Sequence, residues 1–187
     1  MIKQVWEYED WSHLPLSEMR AAFWDQMRAR QLPTLGDTPV RELMAMSLAG
    51  DPSPVGIYIL TEGDRIRYLG KTHGRSLAER MITHLDSRVP DGSGWSMSCC
   101  AAALAAATGC TRHAAVAQML DWRMLWLRVP AAPSGRKRTD HIAIIENRLK
   151  WAGCLDPDLV SARDRVRPTF RVGNHRETRS LTTLTAA

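Results

Sequence analysis

Gly56-Ile57-Tyr58-Ile59-Leu60-Thr61-Glu62-Gly63-Asp64-Arg65-Ile66-Arg67-Tyr68-Leu69-Gly70-Lys71 is the stretch on which the fold turns. Residues 55–60 and 65–69 are rich in branched and aromatic side chains, and Thr61-Glu62-Gly63-Asp64 between them has turn chemistry, so the segment reads as a β-hairpin. With the turn centred near Gly63, Tyr58 and Tyr68 fall opposite one another on one sheet face, whereas a slip of one residue would separate them to opposite faces. Only three tyrosines occur in the whole chain, and two of them sit in this hairpin.

Working outward, Ser76 with Glu79 three residues later is a capping-box pattern that starts a helix with the apolar stripe Leu77, Met81, Ile82 and Leu85. Arg80 and His84, four apart, project together from the flank of that stripe. A third strand is expected over 122–129, and a helix from about 139 to 151 with Ile142, Ile145, Leu149 and Ala152 as its buried row; Glu146 borders that row. Residues 1–50 read as a helical extension, and 51–187 as the main domain, with 86–121 as an alanine-rich helical insertion.

At 187 residues the chain suits one compact unit, and no apolar run approaches the roughly 20 residues of a membrane span. Residues 1–10 do not resemble a secretory signal, so a cytoplasmic protein with reduced cysteines is expected. The net charge of +5 is concentrated towards the C-terminus, where residues 136–187 hold eleven basic and six acidic side chains. Such a surplus suits either contact with nucleic-acid phosphates or a solvated surface, and taken alone it favours neither.

These residues resemble the motifs of the GIY-YIG nuclease family. Gly56-Ile57-Tyr58 and Tyr68-Leu69-Gly70 correspond to its two name-giving motifs, Lys71 to the Lys that often follows the second, Arg80 and His84 to the Arg and the His or Tyr on the first helix, and Glu146-Asn147-Arg148-Leu149 to its Glu-x-x-Leu. The match is close over 54–85 and looser over 139–171. It departs at Pro168-Thr169-Phe170-Arg171, where the family commonly has Pro-x-Tyr-Asn; Asn174 could stand in for the missing Asn, leaving Arg171 and Asn174 as secondary substrate contacts.

The resemblance implies an α/β (α+β) core with a small three-stranded antiparallel sheet flanked by helices. It also implies a metal-dependent endonuclease that hydrolyses phosphodiester bonds, with Tyr58, Tyr68, Arg80, His84 and Glu146 around a single pocket. Glu146 would hold one divalent ion, Mg2+ with Mn2+ able to substitute, since one carboxylate with water and phosphate oxygens can complete such a shell. Arg80 would contact the phosphate bidentately, Lys71 would add positive charge, Tyr68 would orient water or phosphate, and Tyr58 or His84 would move the proton. Nucleic acid, DNA before RNA, is the implied partner, with no membrane, and a homodimer would suit cutting of both strands. The alternative is a nucleic-acid-binding module of the same fold without catalysis, supported by the altered Pro-x-Phe-Arg. Tyr58→Phe is expected to cost much of the activity with little change in stability.

Overall fold

A computed structural model describes residues 5–48, 55–72, 75–88 and 100–150. Among these residues four strands form a mixed sheet in the order β1-β4-β2-β3, comprising β1 (Val5–Glu7), β2 (Gly56–Glu62), β3 (Arg65–Thr72) and β4 (Arg123–Arg128). β2 runs antiparallel to both β3 and β4, while β1 adds to β4 in parallel, with Trp6 opposite Leu127. The sheet is therefore neither three-stranded nor purely antiparallel. The difference arises in the N-terminal region, whose first three described residues pair with a strand more than a hundred positions away.

Helices cover both faces. β2 alternates cleanly: Ile57 and Ile59 join a cluster with Leu69, Leu125 and Leu127, whereas Tyr58 and Leu60 join another with Met124 and Trp126. On the first face lie α2 (Leu16–Arg30), through Met19, Phe23 and Met27, and α7 (Arg138–Leu149), through Ile142, Ile145 and Leu149. Trp6 and Trp11 complete it, their rings 5.1 Å apart and edge-on; Trp11 belongs to α1 (Glu9–Ser12). The N-terminal segment is thus part of the same core as the hairpin. On the second face lie α3 (Val40–Leu48), α4 (Leu77–Leu85), α5 (Cys100–Thr108) and α6 (Arg112–Leu120), the last two within the segment read as an insertion.

A β-bulge decides which residues share a face. Next to the turn the pairing is Glu62 with Arg65 and Thr61 with Ile66; beyond a register shift at Leu60/Thr61 it becomes Leu60 with Tyr68, Ile59 with Leu69 and Tyr58 with Gly70. Ile66 and Tyr68, two apart in one strand, consequently belong to opposite clusters. Arg67 takes up the extra position, with its Nε 3.0 Å from a Glu62 carboxylate oxygen and its guanidinium 5.9 Å from the Trp122 ring centroid. Since the side-chain period of a strand is two, an unbulged hairpin continuing the turn register would have turned Tyr68 away from Tyr58. The two tyrosines share a face as expected, but they are offset rather than opposite.

Two glycines are required by close approach. Gly56 lies under the Trp126 indole and Gly70 under the Tyr58 phenol, and a Cβ at either position would overlap those rings. The glycines of both hairpin motifs thus make room for a large ring arriving from the neighbouring strand.

Candidate active site at the sheet edge

α4 starts with a complete capping box. The Ser76 hydroxyl accepts from the Glu79 N–H at 3.1 Å, and Glu79 Oε2 accepts from the Ser76 N–H at 2.7 Å. These backbone and side-chain contacts with Ser76 hold the Glu79 carboxyl below its ordinary range. With the start fixed, the helix turns Leu77, Ala78, Met81 and His84 into the core, while Ile82, read as part of the stripe, is exposed. His84 is therefore not on the flank but fully buried, in the place a hydrophobic residue would fill.

The reason is its partner. Tyr58 Oη and His84 Nε2 are 2.6 Å apart, with no solvent access to either residue. The Cys100 backbone N–H donates to His84 Nδ1 at 3.4 Å, which assigns the ring proton to Nε2 and makes the Tyr58 oxygen its acceptor. Tyr68, half-buried, stacks on Tyr58 with ring centroids 5.9 Å apart and 21° between planes, and meets the His84 ring edge-on at 4.8 Å. Burial pushes the Tyr58 hydroxyl well above the ordinary phenol range, with the Arg80 charge pulling in the other direction; burial and then Tyr58 itself push Tyr68 up likewise. Arg80 is half-buried, and its Nε lies out of solvent without a hydrogen-bond partner. A guanidinium N–H in that condition is suited to an incoming anion.

Glu146 belongs to another group. It lies on α7, which packs over the Ile57 face, and its two carboxylate oxygens contact Lys71 Nζ at 2.8 Å and Lys150 Nζ at 3.1 Å. Lys71 pairs with Ile57 across the ladder and so points to the face opposite the tyrosines. The expected ring of residues about one pocket is not the arrangement found. Tyr58, Tyr68, Arg80 and His84 gather on one face of the sheet, and Glu146 and Lys71 on the other. Gly70, which lies under the Tyr58 phenol, and Lys71, which contacts Glu146, are adjacent residues of β3, an edge strand of the sheet. Arg171 and Asn174 lie outside the described residues.

A single hard cation fits Glu146 on donor chemistry, because one carboxylate leaves the other coordination positions to water and phosphate oxygens. Both carboxylate oxygens, however, are already in contact with ammonium groups, so the fit requires one lysine to withdraw. No group of three or more His, Cys, Asp or Glu side chains suited to a metal occurs among the described residues.

Arg148 went unassigned in the sequence. It donates to the Tyr8 hydroxyl at 3.0 Å and to the Ser12 and Leu14 carbonyls at 2.6 Å each, fastening α7 to the N-terminal segment. Its place between Glu146 and Leu149 in the Glu-x-x-Leu pattern was the available signal. No helix among the described residues is long and apolar enough to cross a membrane. No protein-family model matches the chain, and neither a curated protein nor a solved structure matches it. The resemblance named above therefore rests on the motif residues themselves.

Proposed function

We propose that this chain is a phosphodiester hydrolase of the GIY-YIG type that cuts DNA lying along the outer edge of β3. The reading is carried by one observation: Tyr58 and His84 share a 2.6 Å buried hydrogen bond, with Tyr68 stacked on the pair. A packing pair of tyrosines does not need a buried imidazole on its hydroxyl, and a buried polar network of this kind is costly unless its members are partnered.

An edge strand is one residue thick, so side chains from both faces can reach a ligand lying along it. From the tyrosine face, Arg80 holds non-bridging phosphate oxygens as charge accumulates on them, and the hydroxyl of Tyr68, a half-buried residue, orients the phosphate. From the other face, Lys71 contributes an ammonium and Glu146 a carboxylate. Glu146 would hold the divalent metal, which supplies Lewis-acid stabilisation of the phosphate when bound. Tyr58 keeps its proton at neutral pH because burial raises its pKa, and with no solvent access it acts through the stacked ring of Tyr68, which it holds in place, rather than on the substrate itself.

A second reading has its own support. Glu146 is neutralised by two lysines and lies across the sheet from the tyrosines, as suits a nucleic-acid-binding module that performs no cleavage. Incubation of the full chain with plasmid, branched, single-stranded and RNA substrates, with Mg2+ and Mn2+ varied, separates the two. Metal-dependent cutting that leaves 5′-phosphates supports the hydrolase; tight binding without cutting under every condition supports the module.

A further inference from the structure

Cys100 is the first residue of α5, within the segment read as an insertion, and its backbone N–H is one of the first-turn donors for which an α-helix supplies no acceptor of its own. That N–H points at His84 Nδ1, 3.4 Å away, while the other ring nitrogen lies 2.6 Å from Tyr58 Oη. Cys100 is 5% exposed, and Tyr58 and His84 have no exposure, so solvent does not compete for these contacts. The protonation states of the ring then differ in how many bonds they complete. With the proton on Nε2, His84 donates to Tyr58 and accepts from Cys100, and both contacts are hydrogen bonds. With the proton on Nδ1, Tyr58 can donate to Nε2, but two N–H groups face each other at the start of α5. The imidazolium has the same opposed pair and adds a buried charge. A bond forgone in a dry interior is not regained from water, so the Nε2–H state is the one this geometry selects.

We infer that Cys100 is a positioning residue of the candidate site, its backbone amide fixing His84 as a neutral hydrogen-bond donor to Tyr58. His84 then has no nitrogen with which to take a proton: Nε2 already carries one, and the Nδ1 lone pair is held by the amide. The sequence let Tyr58 or His84 move the proton; this arrangement withdraws His84 from that task and gives it the phenol oxygen to hold. Held there, Tyr58 keeps the plane on which Tyr68 stacks at 21°, and Tyr68 brings its hydroxyl to the phosphate. The link to phosphate rests on the hydrolase reading, whereas the tautomer of His84 does not. α5 thus contributes to the site the direction of its buried hydrogen bonds, without a side chain that touches the substrate.

The test is the long-range 1H–15N correlation spectrum of the full-length 15N-labelled protein at neutral pH, in which each neutral tautomer and the imidazolium give distinct ring-nitrogen shifts. The chain has six histidines, and the His84 signals are identified by their loss in His84→Gln or His84→Phe. In the wild type the Nε2–H tautomer should exceed the other by about tenfold or more, the ratio that one hydrogen bond gives. Cys100→Ala, which keeps the amide and drops the thiol, should show the same ratio. Tyr58→Phe is the sharper variant: the phenol oxygen is gone but the amide remains, so the Nε2–H form should persist. A wild type in the Nδ1–H or imidazolium form overturns the inference without any variant having to fold, and so does a change to Nδ1–H in Tyr58→Phe. Cleavage gives a second readout. Glutamine reaches the position of Nε2 with an N–H that does not titrate, so His84→Gln should cut about tenfold faster or more than His84→Phe. A base would be lost equally in both, and equal rates overturn the donor role. A chain that cuts nothing yet keeps the Nε2–H form in wild type and Tyr58→Phe retains the role of Cys100 and removes the hydrolase. A cutting enzyme whose His84 carries its proton on Nδ1 does the reverse.

Discussion

The two faces of this sheet are made by the same strands and are filled in opposite ways. On the Ile57 face, isoleucines and leucines of β2, β3, β4 and α7 meet Trp6, Trp11 and Phe23, and the cluster's one phenol, Tyr8, accepts a hydrogen bond from Arg148. On the Tyr58 face, an equally closed core of Leu60, Leu77, Met81, Met124 and Trp126 admits two phenols and the fully buried His84. An apolar face needs only volume and shape, and either face could have been built that way. Burying an imidazole on a phenol costs desolvation that hydrogen bonding must offset, and this costlier face carries the phenols, His84 and Arg80 of the candidate site, while the other contributes only Glu146 and Lys71.

Substitutions in the core of each face separate support from chemistry. Ile145→Ala on the apolar face, where the side chain is 2% exposed, should destabilise by about 2–5 kcal/mol in denaturant unfolding and leave the cleavage rate per folded molecule unchanged. A matching loss of rate would mean that the core beneath α7 also positions Glu146. Gly70→Ala should cost about 1–3 kcal/mol by forcing a Cβ against the Tyr58 phenol, and should also slow cleavage because it displaces that ring. Wild-type turnover in this variant would show that the position of the phenol does not matter.

Tyr58→Phe sharpens the same comparison. The sequence suggests that only a hydroxyl would be lost. The 2.6 Å bond shows that the change also leaves His84 Nε2 buried without its partner, so unfolding should be easier by about 1–3 kcal/mol and cleavage markedly slower. The pH dependence follows with a definite sign. The folded-state pKa of Tyr58 is raised above the ordinary 10.0, so its contribution to stability is complete below that value and is lost as pH climbs above it. Thermal unfolding followed from pH 8 to 11 should show a decline above pH 10 that is shallower in Tyr58→Phe. At the small end, Arg28→Ala removes an ion pair with Asp25 whose side chains are both mostly exposed, and should change stability by less than about 0.5 kcal/mol.

Local signals carried the hairpin, the α4 cap and the buried row of α7 into the sequence reading, since each is encoded within a few residues: Gly63-Asp64 at the turn, Ser76 with Glu79, and Ile142, Ile145 and Leu149 at helical spacing. β1 was not legible. Val5-Trp6-Glu7 is too short to display a period, and its strand character depends on β4 in distant sequence. The bulge at Arg67 was equally hidden, because its composition is that of any strand, and it is this bulge that sets the offset between Tyr58 and Tyr68. Among the candidate site residues, the gathering of Tyr58, Tyr68, Arg80 and His84 follows from the hairpin and α4. The burial of His84 required knowing that Cys100 and α5 close over it. The placement of Glu146 across the sheet depended on which face α7 covers, and an amphipathic helix does not state that.

The most direct test of the account is the rate of DNA cleavage with Mg2+ or Mn2+ by wild type, Glu146→Gln and Arg80→Ala, one substitution for each face. If the two faces act together on a phosphodiester at the edge of β3, the wild type cuts, and each variant slows cutting by roughly a hundredfold or more while still binding DNA. Cleavage by Glu146→Gln at the wild-type rate, or a wild type that binds DNA and never cuts it, would contradict the account.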